Sequence, residues 1–230
     1  TANGLRRDWG LSATFVVGCS GNLGRAHEIA TLMEAMAITG SADERPNLES
    51  ARASSGRLPI TWLIIGSGAL FGALRAEVAR RSLIRVVFKP YQTKACLAES
   101  LSASDVHLVS LRPELEGLIV PSKFYGIAAA GRPAIFVGDQ DGEIARLVMR
   151  HGCGRTVAAG DGAGLARAIL ELAAHLRHAG HGVELVANVP ILDGAQRAKI
   201  IRTFDRVPEH MSNPGPIRTK LHFCTLGKSV

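Results

Sequence analysis

Short apolar segments and segments with helical periodicity alternate along residues 1–178. The apolar segments, each the length of a buried strand, lie at residues 14–18, 60–65, 84–88, 105–110, 133–137 and 155–158. In the helical segments the apolar residues recur at the spacing of one helix face, as at Ile29, Leu32, Met33 and Met36. Strands that alternate with helices indicate a parallel sheet, and right-handed crossovers place helices on both of its faces. The sequence therefore predicts an α/β fold with a doubly wound, Rossmann-like parallel sheet of about six strands.

The composition agrees with a sheet that is buried on both faces. Hydrophobic residues make up 47% of the 230 residues but aromatic residues only 5%, so the core must be aliphatic. No apolar run approaches the roughly 18 residues of a membrane span. We see no secretory signal, no CxxC pair and no zinc-type spacing, so we expect a cytoplasmic protein without metal or cofactor.

The net charge of +7 and the pI of about 9.7 indicate an anionic ligand or partner. Phosphate ligands, nucleic acid and the inner face of a membrane would each satisfy that charge. Aromatic residues for base stacking are scarce, so we expect no nucleic acid partner. A peripheral contact with the membrane stays open.

Residues 179–230 lose the alternation of strand and helix. Residues 180–230 hold seven Lys and Arg against four Asp and Glu, and they are rich in turn-forming residues. We expect a basic, loosely packed tail here and one domain over residues 1–178. The chain begins Thr1-Ala2-Asn3 without Met, and we interpret it as part of something longer.

Glycine clusters follow several of the predicted strands, at the edge where doubly wound sheets bind ligands. They comprise Gly18, Gly21 and Gly24 after the first strand, Gly66 and Gly68 after the second, and Gly138 and Gly142 after the fifth. The first cluster is either a diphosphate loop with Arg25 as its charge clamp or simply a tight turn. A nicotinamide site would need an acidic residue after the second strand, and Gly66-Ser67-Gly68 stands there instead, which argues against an oxidoreductase.

The segment Pro121-Ser122-Lys123 follows the fourth strand and predicts an exposed helix start. Such a helix start can bind phosphate, because it brings free backbone N–H groups, a hydroxyl and an ammonium together at one point. The alternative is a solvated lysine. Glu114 and Glu116 in the preceding loop could accept hydrogen bonds from sugar or ribose hydroxyls, or they are an ordinary solvated pair. A phosphate-binding site next to acceptors for hydroxyl groups predicts a site for a nucleotide sugar.

The acidic pair that follows the fifth strand has a structural interpretation. Asp139 and Asp141, in the segment GDQDGE, are predicted to cap the helix that comes next, and the alternative is contact with a hydroxyl of the ligand.

Several motifs follow one another from about residue 5 to about residue 178: SGNLGRAHE, GSGALFGALRAE, VVFKPYQ, SDVHLVSLRPELEGLIVPSKFYGIAAAGRPAIFVGDQDGEIARLV and VAAGDGAGLARAI. Together and in this order, they resemble the carboxyl-terminal half of retaining family-four glycosyltransferases. The similarity is to the bacterial colanic-acid and O-antigen type.

The resemblance implies a GT-B fold, in which two Rossmann-like domains face each other. The carboxyl-terminal domain binds the nucleotide-sugar donor, the amino-terminal domain binds the acceptor, and no metal is usually needed. By similarity, the donor diphosphate would lie near Gly21, Asn22, Arg25, Ser122 and Lys123. Glu116 would match the acidic residue that meets the donor sugar.

The chain departs from the family pattern in several places. Many relatives carry a second glutamate in the helix before the Gly-x-Pro turn, where this chain has Gly126. Residues 39–58 are longer than the usual connection, and residues 180–230 do not resemble the closing helix of the family. By this resemblance, we expect the amino-terminal acceptor domain to lie outside this sequence.

The resulting hypothesis is the donor-binding half of a glycosyltransferase. A sugar would move, with retention, from a UDP- or GDP-linked donor to a polysaccharide or lipid-linked acceptor, and Arg25, Lys123 and Glu116 would serve the chemistry. Alone, the chain should bind nucleotide without turnover. The alternatives are a non-catalytic nucleotide-binding module and a basic protein associated with nucleic acid or membrane.

Overall fold

A computed structural model describes residues 3–40 and 59–178, and its centre is one six-stranded sheet. The strands are β1 (Phe15–Asn22), β2 (Ile60–Ser67), β3 (Val86–Lys89), β4 (Val106–Ser110), β5 (Ala134–Gly138) and β6 (Gly154–Ala158). Their order is β3-β2-β1-β4-β5-β6, and every neighbouring pair is parallel. The predicted doubly wound α/β fold is confirmed. The chain order reverses between β1 and β4, where such sheets bind their ligands.

The helices surround this sheet. They are α1 (Gly4–Asp8), α2 (Ala30–Thr39), α3 (Phe71–Arg80), α4 (Leu97–Ser102), α5 (Lys123–Ala129), α6 (Glu143–Arg150) and α7 (Gly162–His178). Two short 3₁₀ turns, Lys94–Cys96 and Pro113–Leu115, precede α4 and α5. None of the described helices is both long and apolar enough to cross a membrane. The tail predicted over residues 179–230 lies outside the described residues.

The core is aliphatic, as the composition predicts. On one face of the sheet, α2 and α7 pack together over the central strands, through residues such as Leu32, Met36 and Ile169. Every residue of β4 and β5 is buried. Burial on both faces explains why these strands read as continuous apolar runs rather than as alternating ones.

Strand β1 continues beyond the predicted end at residue 18. It runs to Asn22, so Gly21 and Asn22 form the last pairs of the ladder with Gly66 and Ser67. Gly21 and Gly66 have φ values of 120° and 135°, which only glycine adopts without strain. A Cβ on Gly66 would collide with the carbonyl oxygen of Gly21. The glycines thus let two strand ends approach closely, and the turn begins later than predicted.

Helix α1 is a short element that the sequence analysis did not predict. Arg6 holds it in place through two bonds to the Asp105 carboxylate, of 2.7 and 2.9 Å, and a 2.8 Å bond to the carbonyl of Thr14. Asp105 also accepts a 2.7 Å bond from the backbone N–H of Val16. One partly exposed ion pair therefore ties α1 to the amino ends of β1 and β4.

A buried polar group interrupts the core beside β1. His107 is fully buried, and its Nε2 lies 2.8 Å from the carbonyl oxygen of Leu101. Because that oxygen can only accept, Nε2 carries the proton and Nδ1 is left without a partner among the described residues. A Cβ at Gly18 would lie 2.9 Å from Nδ1 and would also collide with Ser104. Burial lowers the pKa of His107 to about 4.

We expect His107 to make the fold sensitive to acid. Its folded-state pKa lies below the ordinary value of 6.5, so its contribution is complete above that pH and is lost as the pH falls towards about 4. The loss should be about 3 kcal/mol of unfolding free energy. Urea titrations at a series of pH values would measure this loss. His107→Gln should reduce the decrease in unfolding free energy at low pH, whereas His151→Gln should leave that decrease unchanged.

The titration of the His107 ring in the unmodified protein provides a check that does not depend on a variant folding. An NMR titration should give a ring pKa near the value of about 4. A ring that titrates near its ordinary value would contradict this explanation.

Candidate functional site

A histidine connects the ends of β1 and β4 at the point where the strand order reverses. His27 Nε2 lies 2.8 Å from the carbonyl oxygen of Asn22, the last residue of β1. Its Nδ1 lies 2.9 Å from the carbonyl oxygen of Ser110, the last residue of β4, and 3.2 Å from the Ser110 hydroxyl. The sequence did not single out His27, because two of its partners, Ser110 and Lys123, lie 83 and 96 residues away along the chain.

Lys123 is the first residue of α5, and its ammonium points at the same junction. Its Nζ lies 3.3 Å from His27 Nε2. The residue is half-buried, so the prediction of an exposed helix start is wrong for its side chain. Burial lowers the pKa of Lys123, and a negative charge on the nearby Cys19 sulfur would oppose that shift. A partly desolvated cation thus lies at the carboxyl edge of the sheet, in the neighbourhood predicted for phosphate.

Of the other residues predicted for the phosphate, Gly21 and Asn22 end β1, Gly24 and Arg25 lie in the turn that follows, and Ser122 lies just before α5. The backbone of Gly24 accepts a 3.1 Å bond from the N–H of His27, which closes the turn. Arg25 is exposed in that turn, and Ser122 is exposed next to Lys123. The structure therefore brings Lys123, Asn22 and Gly24 together through His27 and leaves the guanidinium of Arg25 in solvent.

The loop after β1 is also attached to the loop after β2. Leu23 donates a 2.7 Å bond to the carbonyl of Ser67 and accepts a 2.9 Å bond from the N–H of Leu70. The Asn22 side chain lies directly against Gly68, where a Cβ would collide with its Oδ1. Gly68 has a φ of 128°, so this position needs glycine for both conformation and space.

Glu116 caps helix α6. Its Oε1 accepts a 2.9 Å bond from the backbone N–H of Glu143, the first residue of α6. A Cβ on Gly142 would lie 2.6 Å from Glu116 Oε2, so the glycine is what admits the carboxylate. A negative charge at the positive end of a helix is stabilising. The Glu116 carboxylate is therefore held in one orientation at the same edge of the sheet.

The prediction that Asp139 and Asp141 cap α6 is wrong. Asp139 Oδ1 accepts a 2.9 Å bond from the backbone N–H of Asp141, within the turn itself. The residue at the N-cap is Gly142, which has no side chain for the bond. Glu116, which is distant along the chain, therefore caps α6 in place of the two aspartates that the local sequence pattern predicted.

A cavity of about 390 Å³ opens beside His27. Its lining comes from the loops after β1, β4 and β6: His27, Glu28, Ile29, Arg112, Pro113, Glu114, Ala159 and Gly160. Glu114 is exposed and lies 3.5 Å from the Arg112 guanidinium. Of the two predicted hydroxyl acceptors, Glu114 thus faces this cavity, whereas Glu116 faces the start of α6.

The arrangement combines cations with oriented acceptors at one edge of the sheet. Lys123 can hold a phosphate oxygen, and the carboxylates of Glu114 and Glu116 can accept bonds from hydroxyls. Among the residues that the structure describes, no group of three His, Cys, Asp or Glu is placed to hold a metal ion. The chemistry that these residues offer is the binding of an anion that also carries hydroxyl groups.

No family model matches the chain, but individual proteins do. WbjE of Pseudomonas aeruginosa, by name a probable glycosyltransferase, is 31% identical over 155 residues, which are 66% of this chain and 34% of WbjE. WcaI of Escherichia coli (strain K12), provisionally named a colanic acid biosynthesis glycosyl transferase, is 28% identical over 47% of this chain and 28% of its own length. The chain thus spans about a third of the length of these curated relatives.

Solved structures share the fold at low sequence identity. A Staphylococcus aureus TarM mutant, solved with UDP among its ligands, has a TM-score of 0.58 at 16% identity, over 84% of this chain and 35% of that one. Anabaena HepE, solved with UDP-glucose, has a TM-score of 0.53 at 19% identity, over 87% of this chain and 51% of that one. The six-stranded domain therefore shares its fold with one part of each of these two proteins.

Proposed function

We propose that this chain is the donor-binding domain of a retaining glycosyltransferase of family four, with a nucleotide sugar as its donor. The observation that carries the proposal is the position of Lys123. Its partly desolvated ammonium lies 3.3 Å from His27, which connects the ends of β1 and β4 where the strand order reverses. The similarity to WbjE and WcaI supports it, as does the fold shared with proteins solved with UDP or UDP-glucose.

In this proposal the diphosphate lies across the turn after β1 and the start of α5. Lys123 contacts a phosphate oxygen, and the exposed Arg25 folds over the ligand from the turn. Ser122 adds its hydroxyl, and the backbone of Gly21 and Gly24 permits close approach. Since Lys123 is already half-buried in the free protein, much of its desolvation has taken place before the ligand arrives, which strengthens the contact.

The sugar would lie toward the acidic loop. Glu116 has one oxygen engaged by the N–H of Glu143 and is therefore held in position, so that it can accept a bond from a sugar hydroxyl without losing further freedom. Glu114, in the wall of the cavity, is the second acceptor. The family's second glutamate is replaced by Gly126, so contacts to the ribose come from other groups.

The reaction breaks the bond between the anomeric carbon and the diphosphate oxygen, and the electron pair leaves with the diphosphate. The acceptor oxygen forms the new bond from the same face, and its proton passes to the departing phosphate. Lys123 and Arg25 stabilise the negative charge that develops there. The acceptor would be a polysaccharide or a lipid-linked acceptor bound by an amino-terminal domain. The domain described here would bind the donor, without turnover by itself and without a metal.

Isothermal titration calorimetry of the chain with a panel of UDP- and GDP-sugars tests the proposal. We expect at least one nucleotide sugar to bind, and the corresponding nucleoside monophosphate to bind more weakly because it lacks the second phosphate. If no member of the panel binds, the proposed function is wrong. Activity after addition of the amino-terminal half would distinguish an enzyme from a non-catalytic nucleotide-binding module.

Lys123→Ala should weaken the binding of a nucleoside diphosphate by about 1–3 kcal/mol, the usual cost of a charge-assisted contact. The fold should survive, because the change removes a cation that burial already disfavours. Calorimetry would measure the affinity, with Lys94→Ala, an exposed lysine before α4, as the matched control. Equal affinity for wild type and Lys123→Ala would place the diphosphate elsewhere.

Glu116→Gln should reduce the affinity for a nucleotide sugar more than the affinity for the bare nucleotide. The amide keeps an oxygen that can accept from the N–H of Glu143, so helix α6 stays capped, but the amide accepts fewer bonds from sugar hydroxyls. Paired titrations with both ligands would measure the difference, and Glu171→Gln on α7 is the control. Equal losses for the two ligands would move Glu116 away from the sugar.

A further inference from the structure

Both ring nitrogens of His27 face backbone carbonyl oxygens. Nε2 lies 2.8 Å from the oxygen of Asn22, and Nδ1 lies 2.9 Å from the oxygen of Ser110. A carbonyl oxygen can only accept, so both bonds form at once only when the ring carries two protons. Only an imidazolium can therefore donate to both strand ends, whereas a neutral ring protonated at Nε2 accepts at Nδ1 from the Ser110 hydroxyl, 3.2 Å away.

The neighbouring lysine opposes that charge. Lys123 Nζ lies 3.3 Å from His27 Nε2, and two cations at that distance repel each other. Burial, and then Lys123, lower the pKa of His27, while its bonds to Ser110 and Asn22 act in the opposite direction. The pKa of Lys123 is lowered as well, by burial. The free protein therefore holds one proton fewer than the hydrogen-bonding geometry can use.

The other charged groups around His27 are engaged elsewhere. Glu28, on the same turn, accepts bonds of 3.0 and 2.9 Å from the N–H groups of Ala30 and Thr31. Arg112 and Glu114, from the loop after β4, line the same cavity and lie 3.5 Å from each other. In the described part of the chain no carboxylate is bonded to His27 or Lys123. Cys19, on β1 near Lys123, is a further titratable neighbour, but burial raises the pKa of its thiol and keeps it neutral. No anion among these neighbours therefore balances the pair, and a bound anion would.

We propose that binding of the donor diphosphate draws one proton from solvent onto the His27–Lys123 pair. The imidazolium of His27 then donates to the carbonyls of Asn22 and Ser110, while Lys123 turns its N–H groups to the phosphate oxygens. No other bond forms or breaks, and the charge gained is one. The inference rests on the proposed function, since a diphosphate is the anion that the proposed site takes.

The consequence is that His27 acts as a positioning residue and makes donor affinity depend on pH. Affinity rises as the pH falls, by at most tenfold per pH unit if one full proton is taken up. The protonated ring also ties the ends of β1 and β4 together when the ligand is present. A residue with only a structural role would not link proton uptake to binding.

Calorimetry with UDP-glucose, and with GDP-mannose if UDP-glucose does not bind, tests the proposal. Both phosphates of these ligands are esterified and stay ionised near neutral pH, so any proton taken up enters the protein. Titrations at one pH in two buffers of different ionisation enthalpy give the number of protons. Wild type should take up a substantial fraction of one proton and bind several-fold more tightly per pH unit of acidification.

Two variants isolate the residue. His27→Gln should bind more weakly, with no proton uptake and little pH dependence, whereas His175→Gln, at an exposed histidine on α7, should behave as wild type. NMR of the ligand-free protein adds a check that needs no nucleotide: Lys123→Met should raise the pKa of the His27 ring. An unchanged His27 pKa in that variant would show that the two side chains are not coupled.

The outcomes distinguish the two proposals. Nucleotide sugar that binds to wild type without proton uptake overturns the role of His27 and leaves the proposed function standing. Proton uptake that persists in His27→Gln would assign the proton to another group and would also overturn the proposed role of His27. Failure of every nucleotide sugar to bind would overturn both proposals together.

Discussion

The reversal of strand order between β1 and β4 is the constraint on which the rest of the site depends. Helices that leave the two strands run to opposite sides, so the strand ends are left without a covering connection. His27 lies across this gap and contacts the carbonyl oxygens of both last residues, Asn22 and Ser110. The turn after β1, the loop after β4 and the start of α5 therefore meet at the carboxyl ends of these two strands.

Glycine lets these segments come together. Gly66 admits the carbonyl of Gly21, Gly68 admits the Asn22 side chain, and Gly142 admits the Glu116 carboxylate. At each position a Cβ would collide with its neighbour. These glycines act less as phosphate contacts than as the places where chain segments distant in sequence meet, which is how a sheet edge becomes a binding site.

The architecture could be predicted from the sequence because its signals are local. The apolar segments predicted the six strands, and the helical periodicity predicted most of the helices. The Pro-Ser-Lys segment predicted where α5 begins. The contacts that complete the site are long-range. His27 and Lys123 are 96 residues apart, and Arg6 and Asp105, which fix α1, are 99 apart. The cap of α6 was also unpredictable for this reason, because Glu116 lies 27 residues before Glu143, from whose N–H it accepts a bond.

A crystal structure of the chain with a bound nucleotide sugar would test the central claim most directly. We expect the diphosphate at the carboxyl ends of β1 and β4, with a phosphate oxygen at hydrogen-bonding distance from Lys123 Nζ and the sugar toward Glu114 and Glu116. A diphosphate bound at the opposite edge of the sheet, or away from Lys123, would contradict the account.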